Sequence, residues 1–202
     1  DINKLLFYPS AVENKYINDL ASKKSVSKLR SDMNVPDDSI ILISVGRLNK
    51  YKNFNKVIEA LQIIERSPKN KIIPKIIYFI IGDGPEHQNL SKLAKNKNLD
   101  IRILGFINSD KIYDFYKIAD IFILPTLTEM SPKSAQEALV FGNKLMVTKY
   151  SGTANQIVID NLNGFNIDPY DSEDIAEKLI KTIFIPKDLS EFVSKKISEN
   201  WT

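Results

Sequence analysis

The sequence predicts an α/β domain built on a doubly wound parallel sheet, and three observations carry that expectation. Short apolar runs recur along the chain at residues 5–8, 40–45, 76–81, 101–104, 121–124 and 145–147, with a weaker one at 165–167. Most are continuously apolar instead of alternating, as parallel strands covered on both faces require. Helix-like stretches lie between them, at 54–66, 86–97, 109–119, 133–142 and 172–183. The third observation is size: 202 residues, 43% hydrophobic and 26% charged, suit a single globular domain with a sizeable core. Strands alternating with helices of this length imply right-handed βαβ units. Ligands in such sheets bind outside the carboxyl ends of the strands, so the strand-to-helix loops are where chemistry is expected.

The remaining segments follow the same order. The stretch up to about residue 38 is polar and helix-like, and the last twenty residues read as another polar helix that stops abruptly at Trp201-Thr202. Within 109–119, apolar residues at Ile112, Tyr113, Phe115, Tyr116 and Ile118 have helical spacing, and Ser109-Asp110 is the expected N-cap. No internal repeat, linker or interior domain boundary is visible, so residues 1–202 are read as one domain.

Composition excludes several function classes. Without cysteine there are no disulfides, thiolate metal sites or cysteine nucleophiles. The net charge is only +3 and the lysines are spread out, which is not the pattern of a nucleic-acid binder. No apolar run reaches the roughly 18 residues of a membrane span, and no signal peptide is visible, so a cytoplasmic protein is expected. One histidine, His87, and no Asp-x-Asp provide no recognisable metal-ligand set. His87 itself reads as surface.

Four loops are candidates. After residues 40–45 comes Gly46-Arg47-Leu48-Asn49-Lys50-Tyr51-Lys52-Asn53, then a helix. Glycine permits a sharp turn, and cations beside a helix N-terminus favour an anion, with arginine able to grip phosphate oxygens in pairs. A solvated turn is the plainer alternative. Ile81-Gly82-Asp83-Gly84-Pro85 lacks the full Gly-x-Gly-x-x-Gly dinucleotide pattern and reads as a structural turn. Gly105-Phe106-Ile107 could border a nucleobase or simply close the core.

The fourth loop, after residues 121–124, is the most informative. Ser131-Pro132 reads as a helix start, with serine as cap and proline in the first turn. The exposed amides near Ser131–Ser134 would then face an anion, with Lys133 adding charge, although Pro132 has no N–H of its own to give. Glu129 precedes this helix and Glu137 lies about two turns into it, so both could serve one ligand. On spacing alone, two glutamates on a solvated helix are the simpler reading. A hydrolytic acid/base pair fits less well, because the cationic loop and helix start point to a phosphate that hydrolases do not need.

Taken together, these loops resemble the C-terminal domain of the retaining glycosyltransferases of family 4, which have the two-domain GT-B architecture. Pro9-Ser10-Ala11-Val12-Glu13 is similar to that half's opening Pro-Asn-Gly-Val-Asp. Val45-Gly46-Arg47-Leu48 with Lys52 resembles Gly-Arg-Leu…Lys-Gly, with Asn53 in the glycine slot, and Ile81–Pro85 matches the next turn. Ala119-Asp120 followed by residues 121–126 looks like the strand into the donor loop. Glu129 and Glu137 have the Glu-x7-Glu spacing, followed by Ala138 and Gly142. Asn163-Gly164-Phe165 and the helix around Asp174 also fit. In departures from the pattern, Met130-Ser131-Pro132-Lys133 replaces Gly-Phe-Gly, Ser151-Gly152-Thr153 stands where Gly-Gly is usual, Gln156 replaces a glutamate and Lys144 a proline.

The resemblance implies a Rossmann-like domain that binds a nucleotide diphosphate sugar and, in the full-length protein, transfers its hexose with retention. Arg47 and Lys52 would neutralise the diphosphate with help from Gly46 and the amides at 131–134. Glu137 would bind the ribose, Glu129 the transferred sugar, and Phe106 and Ile107 would border the base. No cofactor or metal is implied. The glycan or lipid-linked acceptor would bind a separate N-terminal domain outside this sequence, where any peripheral membrane contact would also lie. The fragment alone would then have little activity. The rival expectation is a free-standing, non-catalytic nucleotide-binding module.

Overall fold

The structure, a computed structural model, describes Ile17 and residues 23–95, 98–152 and 154–199. The expected strand at 5–8, the motif at 9–13, Thr153 and Trp201 lie outside the described residues. Among the described residues there are six strands: β1 (Ile40–Val45), β2 (Ile76–Ile81), β3 (Asp100–Gly105), β4 (Ile121–Leu124), β5 (Lys144–Thr148) and β6 (Gly164–Ile167). All pair in parallel, in the order β3-β2-β1-β4-β5-β6.

The helices are α1 (Val26–Asp32), α2 (Phe54–Arg66), α3 (His87–Leu93), α4 (Ser109–Ile118), α5 (Lys133–Val140), α6 (Ala154–Ile157), α7 (Ser172–Ile183) and α8 (Lys187–Glu199). α2 packs against α3 and α7, whereas α1 packs against α4 and α5 against α8. These two groups cover opposite faces, as right-handed crossovers from β1 towards β2 and from β4 towards β5 demand. Burial on both faces explains the unbroken apolar runs: Ile41, Leu42 and Ile43 of β1, and all of β4, are fully buried. The edge strand β3 is only half-buried and carries charge, with Arg102 Nε 2.7 Å from Asp100 Oδ1. Charge on an exposed edge discourages pairing with another chain.

Several local expectations change. α4 begins at Ser109, so its N-cap is Asn108, one residue before the expected Ser109-Asp110. The helix expected at 86–97 ends at Leu93, and α6 has no counterpart among the expected helices. Lys144, in the proline slot of the resemblance, is buried and donates its ammonium to the Ile183 carbonyl at 3.0 Å.

Strand order reverses between β1 and β4. Their connections leave on opposite faces, which opens a crevice at the carboxyl ends of these two strands. The loops carrying Arg47, Lys52 and Glu129 begin there.

Candidate active site

The loop after β1 is shaped by its neighbours. Gly46 N–H donates to Ile81 O at 3.0 Å and Leu48 N–H to Asp83 O at 2.9 Å, which extends the parallel ladder past the strand ends. Gly82 makes this approach possible: a Cβ there would lie 1.9 Å from Gly46 O. The Gly82-Asp83-Gly84 turn is therefore structural, as expected, and it also sets the position of the cationic loop. Asn53 closes that loop. It has φ 58, a left-handed conformation that asparagine tolerates better than most residues, which accounts for its place in the glycine slot. Its side chain donates to Pro169 O at 2.6 Å and Pro125 O at 3.3 Å, joining the loops after β1, β4 and β6.

Tyr51 O accepts from Leu127 N–H at 2.8 Å and from the Thr126 hydroxyl at 2.9 Å, a second tie between the β1 and β4 loops. Across the crevice Lys52 Nζ meets Glu129 Oε2 at 2.7 Å, with side chains 21% and 24% exposed. The lysine stem passes beside Gly46, where a Cβ would be 3.5 Å from Lys52 Cε. Glu129 is fixed from the far side as well: its carbonyl accepts from Gly152 N–H at 3.0 Å, and Glu129 bridges to Ser151. A Cβ on Gly152 would lie 2.8 Å from Met130 O, so a close backbone approach explains this glycine.

The start of α5 differs from the expected cap. Pro132 itself occupies the N-cap, and Ser131 Oγ accepts from Gln136 Nε2 at 2.9 Å in place of a backbone amide. Proline has no N–H to offer. Ala135 and Gln136 N–H donate to Pro132 O, whereas the Lys133 and Ser134 amides have no acceptor among the described residues. The anion-ready part of the 131–134 segment is thus these two N–H groups with the exposed Lys133 ammonium beside them.

Glu137, one helical turn beyond Lys133, is half-buried. The Tyr116 hydroxyl donates to its Oε2 at 3.1 Å. Burial pushes the Glu137 carboxyl above the ordinary glutamate range, with the Tyr116 hydrogen bond and the Lys133 charge opposing the shift. Tyr116 is fully buried, and desolvation together with the neighbouring carboxylate pushes its pKa well up, so it remains a protonated donor.

A cleft of about 530 Å³ opens past the carboxyl ends of β1, β2 and β3, lined by Gly46, Arg47, the Gly82–Gly84 turn, Phe106 and Ile107 among others. It brings together four of the residues picked out in the sequence. Arg47 is exposed with no ion pair among the described residues, and Phe106 is 78% exposed. The cleft therefore has a free guanidinium, an uncovered ring and an aliphatic side chain in its lining, together with Asp83. This is the mixed lining expected of a ligand with an anionic part and a flat part. His87 opens α3 and does not line it. Among the described residues no group of three or more His, Asp or Glu is placed to hold a metal. Tyr116 and the cross-link through Asn53 were not identifiable from local sequence as site supports.

The fold and this crevice define a Rossmann-like domain of the kind found in GT-B glycosyltransferases. The sequence profile of the glycosyl transferases group 1 matches residues 25–198, and the chain belongs to that family. It is 28% identical over 161 residues to the alpha-monoglucosyldiacylglycerol synthase of Acholeplasma laidlawii, covering 79% of this chain and 38% of that protein. A glycosyltransferase from Rickettsia africae superposes with a TM-score of 0.79 at 22% identity, covering 98% of this chain and 52% of that one. The Anabaena protein HepE, in complex with UDP, superposes with a TM-score of 0.71 at 22% identity over 92% of this chain and 51% of that one. The chain thus spans about two fifths to one half of the length of these relatives.

Proposed function

We propose that this domain is the donor half of a retaining, family 4 glycosyltransferase, binding a nucleotide diphosphate sugar at the β1/β4 crevice. The observation that carries the reading is that the loops after β1 and β4 bring the free Arg47, the Lys52–Glu129 pair, and the open amides of Lys133 and Ser134 to the same carboxyl edge of the sheet. Phe106 and Ile107 border the base, Glu137 accepts from the ribose hydroxyls, and the diphosphate lies between Arg47 and the start of α5. Glu129 then meets the transferred hexose. As the anomeric C–O bond breaks, its electron pair moves onto the diphosphate, whose growing charge Arg47, Lys52 and the helix end stabilise. In this reading those groups supply the charge compensation and the donor is bound without a metal.

A glycan or lipid-linked hydroxyl, presented by an N-terminal domain outside these residues, forms the new bond and passes its proton to the departing diphosphate. Family membership supports sugar transfer over a purely non-catalytic module. A diacylglycerol-named relative and a UDP-bound structural relative are compatible with a lipid-linked acceptor and a nucleotide donor. Among the described residues no helix is long and apolar enough to cross a membrane. We place the reaction in the cytoplasm, with any inner-face membrane contact made by the other half, and expect residues 1–202 alone to bind nucleotide while transferring little.

Calorimetry with uridine, guanosine and adenosine diphosphates tests this directly. At least one should bind to the folded protein, and Arg47→Ala should weaken it. No binding at millimolar concentration, or an undiminished Arg47→Ala variant, overturns the donor-site assignment.

A further inference from the structure

We propose that Tyr116 is a positioning residue for nucleotide recognition, holding the Glu137 carboxylate in a fixed orientation for the ribose. The inference rests on the assignment of Glu137 to the ribose made above. Tyr116 is fully buried, and its hydroxyl has the Glu137 carboxylate as partner at 3.1 Å. A phenylalanine would fill the same space, so packing does not require that oxygen. The ring is held flat against Phe141, with centroids 5.8 Å apart and planes at 9°, and it touches Phe122 at 6.1 Å. The backbone behind it is tied down as well, because Asn143 Nδ2 donates to Tyr116 O at 2.9 Å and to Ala119 O at 2.8 Å.

A rigid donor therefore meets a flexible acid. A free glutamate on a helix surface samples several rotamers, and ordering it on binding costs affinity. With Oε2 accepting from Tyr116, the carboxylate is already oriented and Oε1 is left to accept from the ribose. Tyr116 does not touch the nucleotide. It acts through Glu137, so its removal should lower affinity for the ribose and leave the rest of the ligand's contacts intact.

The test compares a nucleoside diphosphate, chosen from uridine, guanosine and adenosine as the one bound most tightly, with its 2′,3′-dideoxy counterpart. Wild-type protein, Tyr116→Phe and Glu137→Gln are titrated calorimetrically with both. The wild type should prefer the ribonucleotide, and Glu137→Gln should reduce that preference. Tyr116→Phe should also reduce it, by roughly fivefold as loss of one hydrogen bond implies, with dideoxy affinity unchanged. A merely structural role would weaken both ligands alike, and that outcome overturns the proposal. Full preference retained in Tyr116→Phe while Glu137→Gln loses it overturns the role of Tyr116 and leaves the donor site standing. No ribose preference in the wild type, or one that survives in Glu137→Gln, overturns the assignment of Glu137 and this inference with it.

Discussion

Lys52 Nζ and Glu129 Oε2 lie 2.7 Å apart, so a cation from the β1 loop and an anion from the β4 loop neutralise each other across the crevice. A diphosphate arriving there competes with Glu129 for Lys52. Glu129→Gln should therefore bind a nucleoside diphosphate more tightly than wild type, and Lys52→Met more weakly, in calorimetry. Because both side chains keep some solvent contact, the pair itself should contribute no more than about 1 kcal/mol to stability. Equal affinities for all three proteins would remove Lys52 from the phosphate site.

Asn53 separates backbone from side-chain effects. Glycine at this position keeps the left-handed conformation and loses only the hydrogen bonds to Pro125 and Pro169. Alanine loses both and adds left-handed strain of about 1 kcal/mol. Urea unfolding should rank wild type above Asn53→Gly and Asn53→Gly above Asn53→Ala. An Asn53→Ala variant as stable as Asn53→Gly would contradict the conformational argument.

The strands were readable because both sheet faces are covered: β1, β2 and β4 have the boundaries that their apolar runs predicted. Helix ends were less legible. Ser131 looked like a cap because serine commonly is one, but Pro132 takes the N-cap and Ser131 turns to Gln136. Four-residue α6 has too few positions to show a helical period. Near the site, the strand ends put Arg47, Phe106 and Ile107 in loops at the carboxyl edge of the sheet, and the three line one cleft, but their roles were left open by local sequence. The Tyr116–Glu137 contact could not, because it joins two helices through tertiary packing and neither local sequence encodes it. Asn53 gave a partial signal: a residue tolerant of positive φ stood where glycine is usual, but its long-range partners were invisible.

Two glycines should respond very differently to alanine. At Gly82 a Cβ would lie 1.9 Å from Gly46 O, so the β1 loop must shift. Gly105 has φ 69, but a Cβ added there would have no atom within 4 Å, so Gly105→Ala meets only backbone strain of about 1 kcal/mol. Gly82→Ala should cost at least about 1–3 kcal/mol in urea unfolding and also weaken nucleotide binding by displacing Arg47. Matching losses at the two positions would mean that the two loops are not in the contact described.

Glu137 links the site to acid stability. Its folded-state pKa is raised above the ordinary value of 4.5, chiefly by burial, against the opposing Tyr116 hydrogen bond and Lys133 charge. The native state therefore binds the proton more readily than the unfolded chain does. This contribution to stability is fully present below the ordinary glutamate value and is lost as pH rises through the raised one. Above the raised pKa the folded protein carries a half-buried charge that a glutamine would not. Glu137→Gln should then melt at a higher temperature than wild type near neutrality, with the gain shrinking on acidification towards the ordinary glutamate pKa. The Tyr116 hydroxyl can still donate to the glutamine carbonyl, so the packing around Phe141 is retained. Thermal melts across the acid range check this, and calorimetry on the same variant should show weaker nucleotide binding. Stability gained together with affinity lost is the signature of a group held for binding at a cost to folding. A Glu137→Gln variant less stable than wild type at neutral pH would instead make the carboxylate a structural partner of Tyr116.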